Sequence, residues 1–277
     1  MKLPVPYRVD RTIVEAESSR LKGGVLADAR KAAEEGNPWN AMHVLASGGV
    51  SALVDENGGT EEDRGQIKTF LLESPYVNVE YLSLMAMATI GADDPVDMIC
   101  RCPSCKKKWN ELSPRLSELE VKYSETPDEG GRMIPVVPEV TIELEYPVEI
   151  VVKNRETREE KTLLSVSSLT FEYPRLRTVI AAQKRVGLTD TTRLQYFAWA
   201  QSILQVDGEA VEDKWKLQWW DKLFERMDSA DIRKISHALT EFGLENKIEM
   251  TCSACGKVFN QVVPTQDFFE SGLLESR

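Results

Sequence analysis

Met98-Ile99-Cys100-Arg101-Cys102-Pro103-Ser104-Cys105-Lys106-Lys107-Lys108-Trp109-Asn110 holds a Cys-x-x-Cys pair, and the chain repeats the pattern as Ile248-Glu249-Met250-Thr251-Cys252-Ser253-Ala254-Cys255-Gly256-Lys257-Val258-Phe259-Asn260. The offset is 150 residues, the difference between Cys102 and Cys252. At that offset Met98 meets Ile248, Lys107 meets Lys257, Trp109 meets Phe259, Asn110 meets Asn260, Leu112 meets Val262 and Pro114 meets Pro264. A Cys-x-x-Cys turn followed by a small or basic residue and an apolar strand reads as a zinc knuckle. Each knuckle supplies two thiolates, so Cys102, Cys105, Cys252 and Cys255 together complete one tetrahedral site. Such a site ties the middle of the chain to its C-terminal part. Four thiolates leave no open coordination position, which makes the expected role structural. Zinc is the expected metal. Iron or an iron–sulfur cluster accepts the same donors and is the less favoured reading. Each pair leaves one strand and enters another rather than a helix N-terminus, which argues against a redox dithiol. The fifth cysteine, Cys100, meets Met250 at the same offset and is therefore read as a buried thiol outside the ligand set.

The chain around the knuckles has 277 residues, enough for one large or two ordinary domains. It is 42% hydrophobic and 29% charged, the balance of a soluble globular protein, and its net charge of −11 argues against a general nucleic-acid surface. Local basic patches, for example Lys106-Lys107-Lys108, speak the other way. No apolar run approaches the ~20 residues of a membrane helix, and the N-terminal residues Met1 to Pro6 lack a secretory apolar stretch. The expected setting is a reducing cytoplasm, where paired cysteines favour metal over disulfide.

Moving outward, Val25 to Glu35 reads as a helix closed by Gly36-Asn37-Pro38, and Trp39 to Leu53 as helical in part. Asp55 to Thr60 is a turn. Helices are predicted over Glu61 to Leu72 and from an N-cap at Asn78 to Gly91. Residues 113–137, rich in Pro and Gly, read as a loop. Val140 to Lys153 and Leu163 to Val166 alternate like strands, with a hairpin tip at Asn154 to Thr157. Helices follow over Tyr173 to Arg185, Asp190 to Val206, Glu212 to Met227, and from Asp228 or Ser229 to Gly243. The two halves share an order of elements. Asp55 and Asp207, Leu71 and Leu223, Glu73 and Glu225, and Gly91 and Gly243 stand 152 apart, while Leu82 and Met85 stand 150 from Ile232 and Ile235. This spacing implies an internal duplication. The predicted fold class is α+β: mainly helical, pseudo-duplicated halves joined by a central zinc ribbon, plus an inserted β-rich segment. The predicted domains are 1–112, ending in the first knuckle; 113–166, linker and β-rich insertion; and 167–277, ending in the second.

Catalytic signals are weak. His43 and His237 are the only two histidines, and no nucleophile or orienting acid accompanies them in sequence. There is no phosphate-binding glycine loop, nucleophile elbow or HExxH. The reading is of a non-enzyme. Among Trp199, Trp215, Trp219 and Trp220, core packing accounts for most; the adjacent Trp219 and Trp220 cannot share one helix face, which leaves one for a partner.

The stretch from Tyr81-Leu82 to Gly91 followed by Cys102-Pro103-Ser104-Cys105, the stretch Asp231 to Gly243 followed by Cys252-Ser253-Ala254-Cys255, and the tail Thr265-Gln266-Asp267-Phe268-Phe269 resemble the baseplate hub assembly proteins, or chaperones, of contractile-tailed phages of the T-even type. The resemblance covers most of the chain after about residue 60. It implies a role in assembling the central hub and tail tip, with hub, tape-measure and tail-tip proteins as partners. The implied places are the host cytoplasm during assembly and the tail baseplate of the virion. On this view the strands of 138–166 and the Trp219/Trp220 helix contact partners while the metal fixes the scaffold. The alternative is a zinc-ribbon subunit of a transcription or nucleic-acid-processing complex, for which Lys106 to Lys108 is the support and the acidic net charge the difficulty.

Overall fold

The structure is a computed structural model describing residues 1–90, 95, 97–106, 109–115, 118–153, 160–187, 190–212, 220–245 and 247–263. The described residues are α+β, with eight helices and several small sheets, and they divide into two compact units.

The first unit comprises Met1–Leu71, Val77–Pro135 and the stretch from Phe242 onward. It begins with strands β1 (Lys2–Arg8) and β2 (Thr12–Ser18), which the sequence reading does not anticipate. Pro4 and Pro6 mask β1, because proline gives no ladder N–H. The strand is tolerated at the edge of a sheet of order β1-β2-β3-β4, completed by β3 (Val50–Asp55) and β4 (Thr60–Glu61). Leu3, Val5, Ile13, Ala16 and Leu53 are fully buried there. Between β2 and β3 stand helices α1 (Gly23–Glu34) and α2 (Pro38–Gly49). Asn37 accepts the Asn40 N–H at 3.2 Å, so Asn37-Pro38 opens α2 as well as closing α1. Helices α3 (Arg64–Glu73) and α4 (Tyr76–Ala88) follow, with Asp63 accepting the Gln66 N–H at the start of α3.

Asn78 is not the cap expected of it. It lies inside α4, fully buried, and its amide takes both backbone groups of Val5 in edge strand β1. The Val5 N–H donates to Asn78 Oδ1 at 2.9 Å, and Asn78 Nδ2 donates to the Val5 carbonyl at 2.6 Å. Two knuckle hairpins complete this unit, β5 (Met98–Arg101) with β6 (Trp109–Leu112) and β15 (Lys247–Thr251) with β16 (Val258–Val262). So do the pairs β7 (Glu120–Lys122) with β14 (Gly243–Glu245), and β8 (Glu125–Pro127) with β9 (Met133–Pro135).

The second unit comprises Leu72–Tyr76 and Val136–Glu241. Its sheet has the order β10-β11-β12-β13, from β10 (Val140–Lys153), β11 (Glu160–Phe171), β12 (Ile203–Val206) and β13 (Glu209–Ala210). The helix expected to reach Val206 therefore stops earlier: α6 (Thr191–Ser202) gives way to a strand at Ile203. Asp207 and Gly208, at φ 50° and 81°, make the two-residue turn that a hairpin demands, and this local geometry overrides the helical pattern. Helices α5 (Leu176–Val186), α7 (Trp220–Arg226) and α8 (Ser229–Ala238) complete the unit. Asp190 caps α6 and Asp228 caps α8.

The strands expected as an insertion belong to this unit's core. Val148, Ile150, Val166, Leu169 and Phe171 pack with Trp199, Ile203, Leu223, Phe224 and Ile235. The compact units divide between Pro135 and Val136 and between Glu241 and Phe242; within the second, β11 pairs with the later strand β12, and the C-terminal hairpin belongs to the first unit. Described separately, the units share an order: hairpin, two helices, a second hairpin added to the sheet, two more helices. In both, the third residue of the last of those helices is buried and polar and holds the edge strand. In α8 it is Asp231, 1% exposed, whose two carboxylate oxygens accept the Glu145 N–H at 3.2 and 3.0 Å.

Candidate metal centre

Each Cys-x-x-Cys sits at the tip of a two-stranded hairpin. In the first, Arg101 pairs with Trp109; in the second, Thr251 pairs with Val258. The first loop therefore encloses one residue more. The one-to-one match of the outgoing strands shifts accordingly: Cys100 lies opposite Asn110, whereas Met250 lies opposite Phe259 and Glu249 opposite Asn260. The turns themselves do agree. The Lys106 N–H donates to the Cys102 carbonyl at 3.1 Å and the Gly256 N–H to the Cys252 carbonyl at 2.9 Å. Both turns end in the left-handed region, with Lys106 at φ 53° and Gly256 at φ 68°. Arg101 Nε holds the Lys106 carbonyl at 2.8 Å. Lys107 and Lys108 lie outside the described residues, so the expected basic cluster is described only at Lys106.

The hairpins bring the four sequence-predicted cysteines together. Their sulfurs all lie within 4.8 Å of one another, with Cys102–Cys255 and Cys105–Cys252 each at 3.8 Å. A single ion with metal–sulfur bonds of about 2.3 Å makes a tetrahedron with edges of about 3.8 Å. The donor set and its spacing fit one ion. A cluster would distribute the thiolates over separate irons and hold some of them farther apart. Cys102 and Cys252 are buried, Cys105 half-buried and Cys255 exposed, so the group meets solvent on one side.

Backbone N–H groups prepare the two leading sulfurs for the thiolate state. Those of Cys105 and, less strongly, Ser104 hold the Cys102 thiol below the usual range. Those of Ala254 and Cys255 pull Cys252 down to about 6. At Cys255 the Lys257 N–H acts in the same direction, but burial and the other three sulfurs outweigh it and push the thiol up to about 11. Crowded thiols resist losing all their protons, and a cation between them removes that resistance.

Cys100 is buried and is not among the four clustered cysteines, and burial pushes its thiol up. Asn110 has a role that the repeat hides. It is buried, its Nδ2 donates to Cys252 Sγ at 3.8 Å, and its Oδ1 accepts from the Ser253 N–H at 3.0 Å and the Ser253 hydroxyl at 3.3 Å. Its sequence counterpart Asn260 is exposed.

The other singled-out residues lie elsewhere. His43, on α2, donates from Nε2 to the Lys68 carbonyl at 3.0 Å, and burial lowers its pKa. His237 is an exposed residue in the last turn of α8. Trp199 is buried against Phe224 and Tyr196. Trp215, Trp219, the tail 265–269 and Gly91 lie outside the described residues, as does the side chain of Trp220. Among the described residues, no helix is long and apolar enough to cross a membrane.

No curated protein and no solved structure matches the chain. The family described as T4 bacteriophage base plate protein matches residues 66–270, from α3 through both knuckles. That match takes in all four clustered cysteines and most of the chain, and the protein belongs to the T4 bacteriophage base plate protein family.

Proposed function

We propose that the chain is a non-enzymatic component of the phage baseplate that assembles or forms part of the central hub and tail tip. In this reading Cys102, Cys105, Cys252 and Cys255 hold one structural zinc ion. The family match across both knuckles carries the reading. The mononuclear spacing of four thiolates with no non-sulfur donor among them supports zinc, since a closed sulfur set suits a structural ion. The metal's part is to fix the C-terminal hairpin on the first knuckle, and it performs no chemistry on a substrate.

The hub, tail-tip and tape-measure proteins are the partners this reading names, met in the host cytoplasm during assembly. The shared order of elements supports an internal duplication, with the hairpin β1–β2 as counterpart of β10–β11. The strands of 138–166 are then half of a repeated core rather than an added binding module. Partner contact on that hairpin falls to its exposed apolar side chains, Tyr146 at 66% and Leu164 at 40% exposure.

Elemental analysis of the purified chain should find one zinc per chain, and Cys102→Ser should abolish it. Co-expression with baseplate and tape-measure proteins should retain a hub protein on the tagged chain, and Tyr146→Ser with Leu164→Ser should weaken that retention without loss of zinc. A folded, zinc-loaded chain that captures no tail protein would overturn the assembly role. A folded parent without metal would overturn the zinc.

A further inference from the structure

The four cysteines are related by the repeat, but their surroundings are not. Among the described residues, and beside the contacts between the sulfurs themselves, it is Asn110 of the first knuckle that hydrogen-bonds across to the second. Asn110 stands on β6 opposite Cys100, one strand residue beyond the loop, and it reaches the second knuckle at two successive residues, Cys252 and Ser253. Its amide uses both ends. The N–H end meets the Cys252 sulfur, and the oxygen end fixes the Ser253 N–H and hydroxyl. Asn110 is 6% exposed and its bond to the Cys252 sulfur is buried, so that bond is shielded from water, while the bonds to Ser253 lie nearer the surface. On the opposite knuckle the one-residue-shorter loop places Asn260 across from Glu249 and in solvent. The two registers thus differ by one residue, and the place opposite the second residue before the leading cysteine falls to Asn110 in one hairpin and Phe259 in the other.

We propose that Asn110 is a positioning residue for the metal centre: it docks the second knuckle on the first and sets the donor strength of the Cys252 thiolate. The proposal rests on reading the cysteine cluster as a metal site. An N–H···S bond lowers the energy of the sulfur lone pair, so it steadies the thiolate and tunes the metal–sulfur bond. The bond to Ser253 fixes where that sulfur stands. Outer partners of metal ligands commonly change metal affinity by about 10–100-fold.

The test uses the full chain loaded with zinc, or with Co2+ in its place, as parent, Asn110→Asp, Asn110→Leu and Asn260→Leu. Asn110→Asp keeps the shape and the acceptor for Ser253 but loses the donor to Cys252; Asn110→Leu loses both. Zinc release to a chromogenic chelator should quicken by about tenfold or more in both Asn110 variants and stay at the parental rate in Asn260→Leu. In the cobalt form, the sulfur-to-metal charge-transfer band should move to lower energy in Asn110→Asp, a change that general loosening of the fold does not produce. If Asn110→Leu does not fold, the isosteric Asn110→Asp decides the matter. A parent that binds metal, with an Asn110→Asp variant of unchanged release rate and unchanged band, overturns the proposal and leaves the metal site standing. A parent that binds no metal overturns the metal site itself and the proposal with it.

Discussion

Gly256 and Lys106 occupy one position of the repeat, and both hold left-handed φ. A Cβ at Gly256 meets nothing within 4 Å, so Gly256→Ala has only a conformational cost, about 1 kcal/mol. Thermal unfolding of the zinc-loaded chain should show that loss, and Lys106→Gly should recover part of the same amount in the other knuckle. The Cys-x-x-Cys turns were legible because turn, ligands and the special φ lie within five consecutive residues. Asn110 was not, because its partners Cys252 and Ser253 stand more than 140 positions away and its counterpart Asn260 differs from it by a single loop residue. His43 is a further residue-scale case. Its folded pKa is lowered, first by burial, so the neutral ring is the native form. Its contribution is complete above the ordinary value of 6.5 and is lost as pH falls from there through the lowered folded value. Melting temperature should therefore drop on acidification below 6.5, and His43→Gln should flatten that part of the profile.

At the scale of elements, helices with caps and amphipathic spacing were readable, while β1 and β2 were not. Prolines conceal β1, and the groups that replace its missing ladder come from Asn78, 73 positions away. The choice of residue follows the partners. Val5 presents one donor and one acceptor, which an amide satisfies; Glu145 presents an N–H and Lys234 an ammonium, which a carboxylate satisfies. Asn78→Ala leaves two buried backbone groups of β1 unpaired and should cost about 2–4 kcal/mol in chemical denaturation. Asn78→Asp should also destabilise, by facing a carboxylate with the Val5 carbonyl. Close packing of α2 on α4 gives a second element-scale test. A Cβ on Gly49 would stand 2.4 Å from that of Ala86. Alanine favours a helix over glycine by about 1 kcal/mol, but overpacking costs about 1–3 kcal/mol and both atoms are fixed to backbone. Gly49→Ala should therefore lower stability, and the double variant Gly49→Ala, Ala86→Gly should regain part of the loss.

For the whole molecule, the requirement that two knuckles complete one site already implied that the C-terminal hairpin joins the first. What the linear order concealed is that the strands of 138–166 build the second unit's core, since β12, the partner of β11, follows two helices later and itself pairs with β13. This division predicts how the chain responds to chelation. Each sheet has its own buried core, from Leu3, Ile13 and Leu53 in one and Val166, Phe171 and Phe224 in the other. The knuckle hairpins have little of their own: β15 and β16 alternate exposed and half-buried residues, and a two-stranded hairpin is at best marginal in water. Around β14–β16, the ladder to β7, the Lys122–Glu245 ion pair and the Asn110–Ser253 bonds would act beside the proposed metal. The ion pair is half exposed and adds little. Removing zinc should therefore melt the knuckles and leave both sheets folded. Hydrogen exchange should show lost protection over 98–101, 109–112 and 247–262, with protection kept over 13–18, 50–55 and 166–171. Unchanged protection at the knuckles after complete zinc removal would show that the metal does not hold them. Loss of protection everywhere in one step would show that the sheets depend on it as well.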